Sequence, residues 1–115
     1  MTGERIVVLE GARDVREGRA VRVCVDDHDI AVWRVEGKLY AIAVTCPHQH
    51  FASLHNGTLE NFCVTCPMHG WSFSLRSGQA VRGSGRVKVY TVREDQGRVH
   101  LTLPANGRDL GEVGR

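Results

Sequence analysis

Apolar and polar positions alternate along most of this chain in short runs, each bounded by turn residues. Arg5 to Leu9, Ala20 to Val25 and Asp29 to Val35 are short runs rich in β-branched residues and are expected to be strands. Glu36-Gly37 predicts a hairpin turn into Lys38 to Val44, with Leu39, Ala41 and Ala43 on one face and Tyr40, Ile42 and Val44 on the other. Farther on, Trp71 to Leu75 is expected to turn at Ser77-Gly78 into Gln79 to Val81. Val87 to Arg93 then pairs with Arg98 to Leu103 around Glu94-Asp95-Gln96-Gly97. No stretch sustains apolar residues at helical period, so the chain reads as mostly antiparallel β. Its 115 residues suffice for one core, and the expected unit is a single domain over residues 1–104. The Gly-rich, polar tail at 105–115 reads as a frayed terminus.

Charge narrows the function classes. With 15 basic and 13 acidic residues, the chain lacks the electrostatic footprint of a nucleic-acid binder. The longest apolar runs, such as Ile6 to Leu9 and Ala41 to Val44, are too short to cross a bilayer. The Met-Thr-Gly-Glu-Arg start carries no apolar signal-peptide core, which predicts a reducing cytoplasm. There, four cysteines point to metal or redox chemistry rather than to disulfides. Between Leu39 and Leu75 the only charged residue is Glu60, although this window holds three of the four cysteines. Burial, a bound cofactor or a charge-depleted docking face would each produce that pattern. Such a neutral face predicts docking that depends weakly on ionic strength. Between Arg76 and Arg98, six basic residues face two acidic ones; this reads as a solvated strand face that could also steer an acidic partner.

The same window contains Cys46-Pro47-His48 and, after 17 intervening residues, Cys66-Pro67-Met68-His69. Thiolate and imidazole together suit zinc or an iron-sulfur centre. A two-Cys, two-His zinc finger keeps its cysteines in one turn and its histidines on one helix. Here each turn supplies one of each, an arrangement suited to a cluster with two chemically different ends. Pro47 and Pro67 each fix a backbone angle directly after a ligand candidate.

This pattern of CPH followed by CPMHGWSF resembles the Rieske family, and the match is specific from about Val44 to Ala80, the stretch that would form the cluster-binding loops. The resemblance implies a small antiparallel β sandwich or barrel with a two-loop subdomain holding one 2Fe-2S cluster. Cys46 and Cys66 would ligate the inner iron, and His48 and His69 the outer one. Members from cytochrome bc complexes have an additional cysteine in each loop, at positions matching Phe51 and Met68, and hydroxyls at positions matching Trp71 and Phe73. Their absence implies a low-potential member, of the kind found in soluble ferredoxins. The implied role is one-electron transfer from a flavin-dependent reductase to a terminal oxygenase or reductase. The small subunit of an NAD(P)H nitrite reductase is an alternative, and a zinc-stabilised interaction module without redox function is another.

No nucleophile–base pair or phosphate loop is evident, so the chain alone is expected to turn over no substrate. Cys63 and Cys24 read as small buried apolar residues in strands. His28 and His100 read as surface positions, and His50 and His55 as solvated loop residues unless they lie beside the outer iron. Trp71 is expected to pack beneath the loops.

Overall fold

The computed structural model describes residues 5–45, 53–67 and 70–103. It contains ten strands: β1 (Arg5–Glu10), β2 (Ala20–Val25), β3 (His28–Val35), β4 (Lys38–Ala43), β5 (Thr58–Glu60), β6 (Cys63–Thr65), β7 (Ser72–Ser74), β8 (Ala80–Arg82), β9 (Val89–Asp95) and β10 (Arg98–Leu103). They form two antiparallel sheets, a larger one in the order β1-β10-β9-β4-β3-β2 and a smaller one in the order β5-β6-β7-β8. The all-β class holds, with the larger sheet curled into a half barrel. No helix among the described residues is long and apolar enough to cross a membrane. The 105–115 tail lies outside the described residues.

Strand alternation builds two apolar layers. Ile30, Val32, Leu39 and Ala41 face the inside of the curl with Tyr90, Val99, Leu101 and Leu103. Ala31, Trp33, Val35, Ile42 and Val44 face outward and are covered by Leu54, Val64, Cys66, Phe73 and Leu75 of the smaller sheet and its connections. Thus β3 and β4 are buried on both sides, as predicted for the register of β4. Each large side chain so buried contributes roughly 1.5–3 kcal/mol of transfer free energy. The small sheet is therefore fastened to the barrel by apolar contact.

Four hairpins turn through two residues that both have positive φ, at Asp26-Asp27, Glu36-Gly37, Asn61-Phe62 and Gln96-Gly97. Such turns match the twist of the strands they join. The last is shorter than the expected four-residue connection, because β9 continues through Asp95 to pair with Arg98. Asn61-Phe62 was not foreseen, since a bulky side chain rarely tolerates this conformation. Phe62 is held there by an edge-on contact with Tyr40, ring centroids 5.8 Å apart, and by the Arg76 guanidinium 4.0 Å above its ring. Trp71 to Leu75, Gln79 to Val81 and Val87 to Arg93 are present with shifted ends, as β7, β8 and β9.

Arg34 ties the β1–β2 connection to the barrel. Its guanidinium donates to the carbonyls of Val15 (2.6 Å), Ala12 (2.9 Å) and Gly37 (3.1 Å) and to the Glu94 carboxylate at 2.8 Å. Glu17 accepts the Glu36 and Gly37 N–H groups in the facing turn. The hydrogen bond from Arg34 holds the Glu94 carboxyl below its ordinary value of 4.5. A depressed carboxyl pKa means that its stabilisation is complete above the unfolded value and is lost as pH falls through the folded one. Acid unfolding followed by circular dichroism should therefore steepen below about pH 4.5. Glu94→Gln should flatten that limb, and an unchanged acid profile would show that the pair contributes nothing.

Candidate metal centre

Cys66 follows β6 and begins a tight return to β7. Its N–H donates to the Trp71 carbonyl at 2.6 Å, and its carbonyl accepts the Gly70 N–H at 3.1 Å. Gly70 has φ +76°, a conformation glycine adopts without a Cβ penalty. One step back along the strands, the Thr65 and Ser72 hydroxyls lie 2.8 Å apart in a second rung. The CPMH loop thus leaves and re-enters the sheet through a closed hydrogen-bonded base.

The other loop has a comparable base. After β4, the Val44 carbonyl accepts N–H groups from both Ser53 (3.0 Å) and Leu54 (2.9 Å). The residues that flank this loop are thus joined at one carbonyl. Ser53 and Cys66 are both buried, 7% and 3% exposed, and Ser53 Oγ lies 3.4 Å from Cys66 Sγ. The bases of the two loops are in direct contact. The segment returning from the first loop forms a 3-10 turn at Leu54–Asn56 and then passes closely over β6. A Cβ on Gly57 would stand 2.5 Å from the Thr65 carbonyl oxygen and 2.7 Å from Val64 Cγ1.

Of the four ligand candidates, Cys66 is described. Cys46, His48 and His69 lie outside the described residues, as do Pro47, His50, Phe51 and Met68. The described parts fit a thiolate-bound cluster in two respects. Cys66 is buried beside a hydroxyl that can donate to its sulfur, and the chain on either side is fixed by backbone hydrogen bonds. Among the described residues, no group of three or more His, Cys, Asp or Glu side chains is arranged to hold a metal ion.

The remaining candidates fall differently from the sequence reading. Cys63 is half-buried in β6, in line with its apolar reading. Cys24 is exposed rather than buried, because alternation along β2 puts it beside Arg22 on the open face. Its Sγ lies 3.4 Å from Asp29 Oδ1, and that hydrogen bond raises the thiol pKa, which disfavours a reactive thiolate. His28 is half-buried, with Nδ1 3.0 Å from the Tyr90 hydroxyl, and burial lowers its pKa. His100 is likewise half-buried. His55 is also withdrawn from solvent. Burial first and Arg22 second push its pKa down, and its Nδ1 has no hydrogen-bond partner among the described residues. Trp71 packs against the outward core as expected, and Phe73 is fully buried within it. Ser53 and Gly57 carry no signal in the sequence, because their contacts arise from how the chain after the first loop packs over β6 and Cys66, and neither belongs to a repeating pattern.

Comparisons with known proteins identify the family and the fold. The family model described as "Rieske [2Fe-2S] domain" matches residues 5–93. The ferredoxin subunit of the 3-phenylpropionate/cinnamic acid dioxygenase of Escherichia coli K12 is 36% identical over 94 residues, covering 79% of this chain and 87% of that protein. Cholesterol 7-desaturase of Hemicentrotus pulcherrimus is 28% identical, and the match spans 90% of this chain but only 24% of that much longer protein. Among solved structures, one chain of a complex between reduced oxygenase and oxidised ferredoxin in carbazole 1,9a-dioxygenase superposes with a TM-score of 0.75 at 29% identity, covering 84% of this chain and 91% of that one. A chain described as the small subunit of an NADH-dependent nitrite reductase from Mycobacterium tuberculosis superposes with a TM-score of 0.80, covering 87% of this chain and 96% of that one. At 22% identity it shares the fold alone.

Gly57→Ala tests whether the close approach over β6 holds the two loop bases together. Forcing a methyl into that space should lower stability by about 1–3 kcal/mol, read by chemical denaturation. A variant as stable as the wild type would show that the two segments can separate freely.

Proposed function

The chain belongs to the Rieske [2Fe-2S] domain family, and from that membership we propose that Cys46, His48, Cys66 and His69 hold one 2Fe-2S cluster, so that the protein serves as a one-electron carrier to the terminal oxygenase of a dioxygenase system. The observation that supports this most directly is the contact between Ser53 and Cys66, because it joins the bases of the two loops that carry the four residues. The named role of the dioxygenase ferredoxin relatives supports the choice of acceptor. A flavin-dependent reductase as electron donor is part of the same proposal. The nitrite reductase reading rests on fold likeness alone.

A 2Fe-2S cluster ligated by two cysteines and two histidines takes up and releases one electron at a time, at a higher potential than an all-cysteine centre. The chain's own residues do the rest. Pro67 and the Gly70 turn hold Cys66 in a fixed loop, and burial at 3% exposure keeps its sulfur from bulk water. Ser53 Oγ–H points its bond dipole at a thiolate when it donates, which stabilises the more negative state and so raises the potential. Trp71 and Phe73 supply apolar packing where hydroxyls would otherwise add donors.

Purified protein should be red-brown and contain two irons and two acid-labile sulfides per chain, about the stoichiometry of one Rieske cluster. Stoichiometric zinc in place of iron would overturn the assignment. Cys66→Ala should lose both colour and cooperative folding, because the cluster cross-links two loops with little apolar content of their own.

Ser53→Ala separates tuning from assembly. It should retain the visible spectrum while lowering the midpoint potential, read by protein-film voltammetry. An unshifted potential would show that the serine donates elsewhere.

A further inference from the structure

The charge of this molecule is unevenly distributed with respect to the proposed centre. Between residues 44 and 92 the chain carries Arg76, Arg82, Arg86 and Lys88 against the single acid Glu60, whereas the rest of the chain has slightly more acids than bases. The fold sharpens this asymmetry. Glu60 lies on β5 and Arg82 on β8, the two opposite edges of the small sheet. The one acid is thus moved away from the basic side.

Residues 78–87 fold back on themselves as a hairpin. The Val87 N–H donates to the Gly78 carbonyl at 2.8 Å, the Ala80 N–H donates to the Gly85 carbonyl at 3.0 Å, and Gln79 bridges Arg86. Its tip leans on Trp71. At Gly83, a Cβ would stand 2.3 Å from Trp71 Cδ2, so the backbone lies directly on the indole. Trp71 itself is two residues beyond His69, and its carbonyl receives the Cys66 N–H. The hairpin is therefore held at the margin of the second loop. Arg82 and Arg86 are exposed and form no ion pair among the described residues, in contrast to Arg22, Arg34 and Arg98. Beside them Val81 is 62% exposed, an apolar point within a basic rim. Charged rims around a small apolar contact steer encounter and set register.

We infer that the hairpin of residues 78–87 is a docking element for a redox partner with an acidic surface, in which Arg82 and Arg86 orient that partner toward the Cys66–His69 loop and Val81 makes the apolar contact. This rests on the proposed function, since it takes that loop as the point of electron exit. It also reverses what the neutral loop window alone predicts, because the salt dependence of transfer would be set by the neighbouring hairpin.

Small ions test the local field without a protein partner. Oxidation of the reduced holoprotein by ferricyanide, an anion, should slow by about tenfold between low and high salt, while oxidation by tris(phenanthroline)cobalt(III), a cation, should speed up. In Arg82→Glu/Arg86→Glu both trends should reverse, with the ferricyanide rate at low salt falling about tenfold or more. Arg82→Gln/Arg86→Gln should fall between, and the visible spectrum reports that either variant has kept its centre. Arg13→Glu/Arg16→Glu, which changes net charge equally on the β1–β2 connection, should leave both trends as in the wild type. As a readout independent of electron transfer, a hexaglutamate peptide should shift backbone amide resonances at 81–88 and leave those at 13–19 in place. Rates that respond equally to the two charge-reversal pairs, or peptide shifts absent from 81–88, would overturn the inference while leaving the proposed function standing. Protein purified without iron would overturn both.

Discussion

A single backbone carbonyl organises the functional end of this molecule. The Val44 oxygen receives both the Ser53 and the Leu54 N–H, so the chain that flanks the first loop is joined at the residue directly after β4, a strand buried on both faces. With Val44 and Leu54 fully buried, the paired groups are shielded from water, and breaking them would leave polar backbone unsatisfied in an apolar setting. Ser53 is thereby fixed against Cys66, and Gly57 is brought over β6. Val44, Leu54 and Cys66 lie together in the outward core, so apolar packing and this backbone closure hold the two loop bases against each other.

Much of the barrel was legible because its signals are local. In β4 the alternation of Leu39 and Ala41 with Tyr40 and Ile42 assigns each side chain to one of two cores, and the structure keeps that assignment. Glu36-Gly37 carries a glycine where positive φ is needed. Asn61-Phe62 does not, and its geometry follows from two contacts on the phenylalanine ring, with Tyr40 of the larger sheet and with Arg76 from the β7–β8 connection, neither adjacent in sequence. Cys24 misled in a different way. Its apolar character suggested burial, but the period of β2 places it with Arg22, and the period prevails.

The candidate site divides along the same line. Cysteine, histidine and proline in two short motifs are visible in the sequence because the chemistry requires those residue types at close spacing. The supporting groups are not. Ser53 bonds Cys66 across 13 residues, and the Gly83 backbone meets Trp71 only because β8 returns beside β7. These are properties of the chain's path, which composition and periodicity do not report.

The strand order has a consequence for how the chain is made. β2, β3 and β4 pair in succession, and β9 pairs with β10, all through two-residue turns whose partners are near in sequence. β1 pairs only with β10, Arg5 opposite Leu103. Closing so long a loop is entropically slow compared with closing a hairpin. During synthesis, Ile6 and Val8 emerge well before β10 and remain without that strand partner until residues 98–103 have left the ribosome. The meander from β2 to β4 can form its ladder in the meantime, so β1 pairs later than the strands that follow it directly.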